Sequence, residues 1–368
     1  MLCKMKGMKK LITVHLLNDF SGSPKVLSQV ISVLKDDKFE IELFTSNNTK
    51  GFLSDLIKTT TYTYKHFNNK WLTLVAFMSS QFVLFVKLLM YWRRDITIYV
   101  NTMLPFGAAL AGFVMRKPVI YHIHEISLSP KILKQFLRAI IKLTASKIIF
   151  VSKAVMESEN FPGIPSKVIY NALPKSFEKA NQVHYYTYNS EEVFNVLMLA
   201  SLKEYKGVNE FLDLAIHFQT KKNFKFTLIL NTNQQEINHW LADKLVPHNI
   251  TFLPSQSDVS QFYNKAHLVL NLSHVDQWVE TFGLTIIEAM AYGIPVIVPP
   301  VGGPAEIVSH GKEGFLVSAY DQTVLIKCIQ QLQSNDALRT KMSENARKRV
   351  TDFSEEKFKQ QIYKFIHD

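Results

Sequence analysis

Residues 271–308 read NLSHVDQWVETFGLTIIEAMAYGIPVIVPPVGGPAEIV, and this stretch contains the pattern that decides the fold. It predicts a helix that begins near Phe282 and contains Glu288, followed by a short buried strand at Pro295–Val298. Another apolar run, His267–Leu270, predicts a strand just before it. A helix between two buried strands is the repeating unit of a parallel α/β sheet.

The same alternation extends through the rest of the chain. In the first half, strands are predicted at Leu11–His15, Phe39–Phe44, Ile96–Val100, Pro118–His122 and Lys147–Val151. In the second half, further strands are predicted at Phe194–Leu199, Lys225–Leu230 and Ile250–Leu253. Strands separated by helices predict α/β architecture with two doubly wound parallel sheets, and proteins of this class bind ligands at the carboxyl ends of the strands.

The length of 368 residues suits two domains. A polar stretch containing NQVHYYTYNSEE interrupts the strand pattern and predicts a linker at 175–192. We therefore expect an N-terminal domain at 1–174 and a C-terminal domain at 193–354, facing each other across a central cleft. The helical segment 355–368 could cross back to the first domain.

The composition excludes several classes of protein. Hydrophobic residues make up 47% and charged residues 20%, which argues against disorder. The two cysteines, Cys3 and Cys328, form no disulfide framework and lack zinc-site spacing, which favours a reducing cytoplasm. The N-terminal apolar run is too short for a signal peptide.

The basic excess belongs to the first half of the chain. Residues 1–190 contain 25 Lys or Arg and 11 Asp or Glu, whereas residues 191–368 contain 17 and 20. Such a surface attracts nucleic acid or anionic lipid, and the charge alone does not distinguish between them.

The apolar stretch Trp71–Trp92 is interrupted by Ser79–Gln81 and Lys87. It therefore predicts a buried or interfacial helix, not a membrane span.

Glu280 and Glu288 are candidate ligand-binding carboxylates. If Glu280 stands just before the helix, the two lie at most about 12 Å apart along its axis, given a rise of about 1.5 Å per residue. That span matches a nucleotide diphosphate sugar, whose phosphates would meet the free N–H groups of Phe282, Gly283 and Leu284. Alternatively, Glu280 is a helix-entry acid that the dipole favours, and Glu288 is a solvated helix residue.

The stretch ETFGLTIIEAMAYGIPVIVPPVGGPAEIV closely resembles the donor-binding signature of glycosyltransferase family 4, the retaining GT-B enzymes of group 1 type. The resemblance also covers the loop 16–24, YHIHE at 121–125, FVSKAV at 150–155, VIYNALP at 168–174 and SLKEYKG at 201–207. It implies a GT-B fold of two Rossmann-like domains. It also implies that Glu280 contacts the donor sugar and Glu288 the ribose.

Two lysines follow the first strand of the second domain. Lys206 is expected to neutralise charge on the leaving diphosphate; the alternative is a solvated loop lysine. Family members commonly have an arginine in a G-R-L pattern here, whereas this chain has Ala200-Ser201-Leu202 and then Lys203. Lys203 could substitute for that arginine from a displaced position, although an ammonium lacks the bidentate guanidinium fork.

His124 follows the Pro118–His122 strand, at the edge where ligands bind. The resemblance makes it the active-site histidine, able to donate to a sugar hydroxyl, whereas His122 is expected to be a packed histidine. Glu125 either binds the acceptor or is solvated.

The loop after the first strand contains Gly22-Ser23, where the family usually has two glycines, and its N–H groups could meet phosphate. The alternative is an ordinary helix start, with Ser23 as N-cap and Pro24 at the first helical position. Gly302-Gly303-Pro304 is expected to have a structural role only.

The resemblance implies transfer of a sugar from a nucleotide diphosphate sugar, with retention, to a glycan or lipid-linked acceptor. We expect a cytoplasmic enzyme, in peripheral contact with anionic membrane through its basic domain, in synthesis of capsule, lipopolysaccharide O-antigen or exopolysaccharide. No metal, other cofactor or nucleic acid is expected. The alternatives are a GT-B sugar-nucleotide epimerase, a catalytically weak nucleotide-sugar binding protein, and a basic nucleic-acid or membrane-binding module.

Overall fold

The computed structural model describes residues 10–35, 39–46, 50–175, 177–179 and 193–367. The chain forms two compact units: Met1–Ala172 with Phe358–Asp368, and Leu173–Lys357. Each unit contains one parallel sheet with helices in its strand connections. The prediction of two Rossmann-like parallel-sheet domains is confirmed. Residues 180–192 of the predicted linker lie outside the described residues.

The first unit has a seven-stranded sheet of order β3-β2-β1-β4-β5-β6-β7. Its strands are β1 Lys10–Val14, β2 Glu40–Ser46, β3 Thr59–Tyr62, β4 Ile96–Asn101, β5 Val119–Ile123, β6 Lys147–Phe150 and β7 Ser166–Val168. Its helices are α1 Gly22–Lys35, α2 Lys70–Leu88, α3 Phe106–Val114, α4 Lys131–Thr144 and α5 Lys153–Glu159.

Strand pairing determines which loops of the first unit are neighbours. Strand β1 (KLITV) is buried throughout, as its β-branched residues predict for a central strand, and it pairs with both β2 and β4. Val14 lies opposite Val100, and Asn101 lies opposite His122 on β5. The residues that end or follow β1, β4 and β5 therefore meet at one edge of the sheet.

The second unit has a six-stranded sheet of order β10-β9-β8-β11-β12-β13. Its strands are β8 Phe194–Ala200, β9 Phe224–Leu230, β10 Ile250–Leu253, β11 Leu268–Leu270, β12 Val296–Val298 and β13 Gly314–Leu316. Its helices are α6 Val208–Phe218, α7 Gln234–Leu241, α8 Ser260–Tyr263, α9 Leu284–Ala291, α10 Gly303–Ile307, α11 Gln322–Ser334 and α12 Asp336–Val350.

The last helix, α13 Glu355–His367, begins in the second unit, and its residues from Phe358 onward belong to the first. Within the first unit, Lys147 Nζ donates a hydrogen bond to Phe365 O at 3.0 Å.

In the second unit, Leu270 pairs with Met198 on β8 and with Ile297 on β12. The loops after β8 and β11 are consequently neighbours at the carboxyl edge of the second sheet.

All ten predicted strands are present, and three short strands, β3, β7 and β13, are additional. The helix expected near Phe282 begins two residues later, at Leu284. The reason is Gly283, whose φ of +106° lies outside the helical region and which forms the cap. The predicted helix in Trp71–Trp92 is also present, as α2 and a short 3-10 turn at Leu89–Tyr91.

Helix α2 is buried on one side only. Its inward residues are Phe77, Ser80, Gln81, Leu84 and Leu88. The stretch Lys70–Tyr91 is long and apolar enough to cross a membrane, and 28% of its most apolar window is buried in the protein. The expectation of a core helix is therefore met on the inward side, while the outward side is exposed.

Candidate active site

An ion pair occupies the carboxyl edge of the second sheet. Lys206 Nζ lies 2.6 Å from Glu280 Oε2, and each side chain is 19% exposed. Lys206 ends a 3-10 turn in the loop after β8, and Glu280 lies in the loop between β11 and α9. The structure thus brings together two of the residues that the sequence analysis selected for catalysis.

Glu280 is held in its ionised form. Burial opposes ionisation, but Lys206 outweighs it, helped by hydrogen bonds from Ser273 and Asn271, so the pKa of Glu280 is lowered. The Ser273 hydroxyl donates to Glu280 Oε2 at 3.3 Å, and Ser273 N donates to Asn271 Oδ1 at 3.1 Å. The site therefore presents a carboxylate and an ammonium side by side, both accessible in part.

The loop before α10 fixes the backbone of Glu280. Gly303 N donates to Glu280 O at 2.9 Å. Gly302 has a φ of +73°, and a Cβ there would lie 2.3 Å from Glu280 O. A side chain at Gly302 would therefore displace the Glu280 backbone. The role expected for these glycines was structural, and the structure shows that they position a candidate catalytic residue.

Glu288 lies on α9 and is buried, with 3% exposure. The hydroxyl of Tyr263 donates to Glu288 Oε2 at 3.0 Å. Burial and the nearby carboxylate raise the pKa of Tyr263 far above its usual value, so the phenol stays a donor. The alternative of a solvated Glu288 is wrong, because its side chain is buried and accepts from Tyr263.

The start of α9 lies directly after Glu280. Gly283 caps the helix and Leu284 is its first residue, so the first N–H groups have no acceptor within the helix. Phe282 is buried and its ring contacts Phe353 edge-on at 5.7 Å between centroids. An anion beside Glu280 would meet these N–H groups at the positive end of the helix dipole.

Lys203 differs sharply from Lys206. Its side chain is exposed and has no hydrogen-bond or ion-pair partner among the described residues.

Between Lys203 and Lys206 in the chain, the ring of Tyr205 stacks on Trp278 with centroids 5.1 Å apart and planes at 18°. This stack joins the two loops that also supply the ion pair, and Trp278 is 37% exposed.

A network of neutral polar groups occupies the corresponding edge of the first sheet. Asn101, at the end of β4, is its centre: its Nδ2 donates to Ser23 O at 3.1 Å and lies 3.1 Å from His15 Nδ1. Its Oδ1 lies 2.9 Å from His124 Nε2. The structure therefore connects His124 to the start of α1, which contains Gly22 and Ser23.

The histidines of this network are held neutral by burial. Burial lowers the pKa of His15 to about 4 and that of His122 to about 3. Burial, with the neighbouring His122 and His15, lowers the pKa of His124 well below its ordinary value. The Tyr99 hydroxyl lies 2.8 Å from His122 Nδ1, so His122 is the packed, hydrogen-bonded histidine that the sequence analysis expected.

The partners of Asn101 decide what His124 can offer a ligand. Ser23 O can only accept, so the Asn101 nitrogen faces Ser23 and its oxygen faces His124 Nε2. A neutral His124 then carries its proton on Nε2, and its Nδ1 is an acceptor with no partner among the residues described. The expectation that His124 donates to a sugar hydroxyl needs this amendment: in this arrangement the imidazole accepts from it.

Glu125 is partly buried, and its carboxylate accepts from backbone N–H groups. Met103 N donates to both of its carboxylate oxygens, at 3.2 and 3.3 Å, and His124 N donates to Oε2 at 3.1 Å. Burial raises the pKa of Glu125 to about 7, against the effect of these hydrogen bonds. Glu125 therefore fixes the loop after β4, where Thr102 has a φ of +74°.

Gly22 and Ser23 form the first turn of α1, so Ser23 lies inside the helix rather than before it. The turn that precedes the helix is closed instead by Asp19, whose Oδ1 accepts from Ser21 N at 2.9 Å.

Among the described residues, no group of three or more His, Cys, Asp or Glu side chains is arranged to hold a metal ion.

Sequence reasoning did not select three residues that organise these sites: Asn101, Ser273 and Tyr263. Asn101 and Ser273 lie at or just beyond the carboxyl ends of β4 and β11, and this position was a signal that could have found them. No comparable signal marks Tyr263, because its partner Glu288 is 25 residues away in the chain.

Two Rossmann-like parallel sheets, each in a compact unit of its own, are the architecture of the GT-B fold. The chain is similar over 98% of its length to HepE of Anabaena, solved in complex with UDP and glucose. The TM-score is 0.77, the sequence identity is 22%, and the whole of that chain is covered. This likeness confirms the fold.

Residues 187–349 match the family model of glycosyl transferases group 1, so this part of the chain is similar to that family. The predicted resemblance is confirmed at this level, and the family 4 subdivision stays a prediction.

Two curated relatives match parts of the chain. The N-acetyl-alpha-D-glucosaminyl L-malate synthase of Bacillus anthracis is 34% identical over 124 residues, which are 33% of this chain and 32% of that protein. The capsular polysaccharide biosynthesis glycosyltransferase CapM of Staphylococcus aureus is 34% identical over 114 residues. These residues are 31% of this chain and 28% of that protein. In both cases the match covers about a third or less of the relative's own length.

Proposed function

We propose that this protein is a retaining glycosyltransferase that moves a sugar from a nucleotide diphosphate sugar to a glycan or lipid-linked acceptor. The observation that supports this most strongly is the Lys206–Glu280 pair beside the start of α9, within the residues that match the family. A cation and helix N–H groups suit a diphosphate, and a carboxylate suits sugar hydroxyls.

In this proposal the reaction breaks the bond between the sugar C1 and the phosphate oxygen, and the bonding electrons leave with the nucleoside diphosphate. The acceptor oxygen attacks C1 from the same face, and its proton passes to the departing phosphate. The negative charge that grows on the diphosphate is stabilised by Lys206 and by the N–H groups of Gly283 and Leu284. No protein side chain forms a covalent bond in this scheme, and no metal ion is needed.

Each of the other selected residues has a binding role in the proposal. Glu280 accepts from sugar hydroxyls, and the buried Glu288 accepts from the ribose diol. His124 accepts from a donor hydroxyl through Nδ1, while Gly22 and Ser23 line the phosphate. Lys203, which is exposed, is a secondary cation whose contribution is smaller than that of Lys206.

The enzyme would act in the cytoplasm, near the membrane where a lipid-linked acceptor is presented, in assembly of a surface polysaccharide such as capsule or O-antigen. This finer assignment rests on the basic first unit, and on the name of the capsular relative as a pointer to the pathway.

Release of nucleoside diphosphate tests the proposal. We would incubate the protein with UDP-, GDP-, ADP- and TDP-sugars, with and without bacterial lipid extract, beside Glu280→Ala and a matched control, Glu344→Ala, whose side chain is exposed on α12. We expect release from one donor that requires the extract, and a loss of about 100-fold or more in the Glu280 variant only.

The other functions give different results in the same assay. Conversion of a donor sugar without diphosphate release would indicate an epimerase. Binding of a donor without turnover would indicate a binding protein, and the absence of any donor binding would contradict the proposal.

A further inference from the structure

The outward side of α2 is an exposed apolar surface. Ten large apolar side chains between Trp71 and Trp92 are exposed, of which Trp71 is 76% and Phe82 67% accessible. Six of them form one stripe at helical spacing: Trp71, Val75, Met78, Phe82, Val86 and Met90. An exposed apolar patch of this length on a water-soluble surface marks a site of interaction.

The inward side of α2 is fixed to the first unit by polar and close contacts. Gly107 N donates to Gln81 Oε1 at 3.1 Å, and a Cβ at Gly107 would lie 2.1 Å from Gln81 O. The Gln81 amide donates to Ser80 Oγ at 3.3 Å. Crossing a bilayer would separate α2 from α3 and leave these buried polar groups without partners, which is unfavourable in lipid.

Helix α4 extends the apolar surface. Its Ile132 is 80% exposed and Leu143 54%, with Phe136 partly exposed between them. The ring of Phe106 on α3 contacts Phe77 of α2 at 5.7 Å and Phe136 of α4 at 5.1 Å, so α3 packs against both α2 and α4. We call the exposed apolar side chains of α2 and α4 the α2–α4 face.

The segment that contains the α2–α4 face is strongly basic. Between Asp55 and Glu157 the chain contains fourteen Lys or Arg and two acids, Asp95 and Glu125. Two of these cations, Lys134 and Arg138 on α4, pair with the buried Glu159. Glu125 accepts backbone N–H groups and is not part of the face. Apolar side chains surrounded by cations are complementary to anionic headgroups above acyl chains.

We propose that the α2–α4 face docks on an anionic lipid bilayer, with α2 lying in the plane of the membrane. Trp71 and Trp92, at the two ends of the stretch, suit the interfacial level where tryptophan is favoured. Lys70, Arg93 and Arg94 contact the headgroups beside them. A second copy of the chain fits less well, because it would bring two basic rims together.

Vesicle sedimentation tests this proposal independently of glycosyl transfer. The full chain is mixed with vesicles of equal parts phosphatidylglycerol and phosphatidylcholine, or of phosphatidylcholine alone, at low and high salt. We compare wild type with Val75→Glu/Phe82→Glu and with the control Leu245→Glu, which changes a side chain 69% exposed in the second unit. Circular dichroism checks that each variant is folded.

We expect binding that requires phosphatidylglycerol and weakens with salt, at least about tenfold weaker in the double variant and unchanged in the control. Absence of vesicle binding by wild type, or equal binding by all three proteins, would overturn the proposal. Two further results would also overturn it: binding that survives alkaline extraction, which indicates a span, and self-association without vesicle binding that the double variant abolishes.

Discussion

The carboxyl edges of the two sheets are built from the same topology but differ in charge. In the first unit, Asn101 joins His15 and His124 in a network whose histidines are kept neutral by burial. In the second, Lys206 and Glu280 form an ion pair. A neutral edge can exchange hydrogen bonds with hydroxyls, whereas a charged edge can bind and stabilise an anionic leaving group. The comparison therefore shows that the residues at the strand ends, and not the strand topology, set the chemistry of each edge.

Substitution of Lys206, at the charged edge, is expected to cause the largest loss of activity. Lys206→Ala should lower kcat by about 100-fold or more with a smaller change in KM for the donor, because charge develops on the diphosphate mainly in the transition state. Steady-state release of nucleoside diphosphate measures both constants. Lys203→Ala is the matched control, three residues away and exposed, and should change kcat much less. Equal losses in the two variants would remove the special role of Lys206.

Substitution of the buried Glu288 is expected to cause the next largest effect, a loss of donor affinity. Glu288→Gln should weaken donor binding by about tenfold, because an amide replaces the charged acceptor of the ribose diol. Titration calorimetry with the donor measures the affinity, and Tyr263→Phe separates the roles, since it removes the hydroxyl that holds the carboxylate but keeps the charge. Donor affinity that stays normal in Glu288→Gln would contradict the ribose assignment.

The neutral edge should make the first unit sensitive to acid. The folded pKa values of His15, His122 and His124 lie below the unfolded value of 6.5, so the unfolded chain binds more protons, and stability falls as pH drops from about 6.5 toward 4. Glu125, with a pKa raised to about 7, has the opposite effect between 4.5 and 7, and three histidines outnumber it.

His122→Gln tests this explanation because glutamine does not titrate. The slope of unfolding free energy against pH should become smaller by up to about 1.4 kcal/mol per pH unit, the contribution of one proton. Urea unfolding between pH 7 and 5 measures the slope. The same slope in variant and wild type would show that His122 already carries a proton or is not buried in solution.

The sequence was sufficient for the sheets and for most of the second site. Ten strands follow from apolar runs, and the helix that contains Glu288 follows from the pattern around it. Three strands were not predicted, because β7 (SKV) has two polar residues, β13 (GFL) begins with glycine and β3 is a largely polar edge strand, so none shows a clear apolar run.

The contacts of the sites were less predictable than the strands. Lys206 was selected from a motif, but its pairing with Glu280 was not predicted. The surroundings of Glu288 depend on Tyr263, and the tautomer of His124 depends on Asn101. These pairs are 25 and 23 residues apart and meet only when the sheets form. Local sequence patterns do not contain such long-range contacts.

The division between a charged donor edge and a neutral edge is tested most directly by hydrogen–deuterium exchange with nucleoside diphosphate. We predict slower exchange in peptides that cover 203–207 and 280–288, with unchanged exchange in those that cover 101–104 and 122–125. Protection confined to the first-unit peptides, or no protection at 280–288 at a saturating concentration, would contradict the assignment of the donor site.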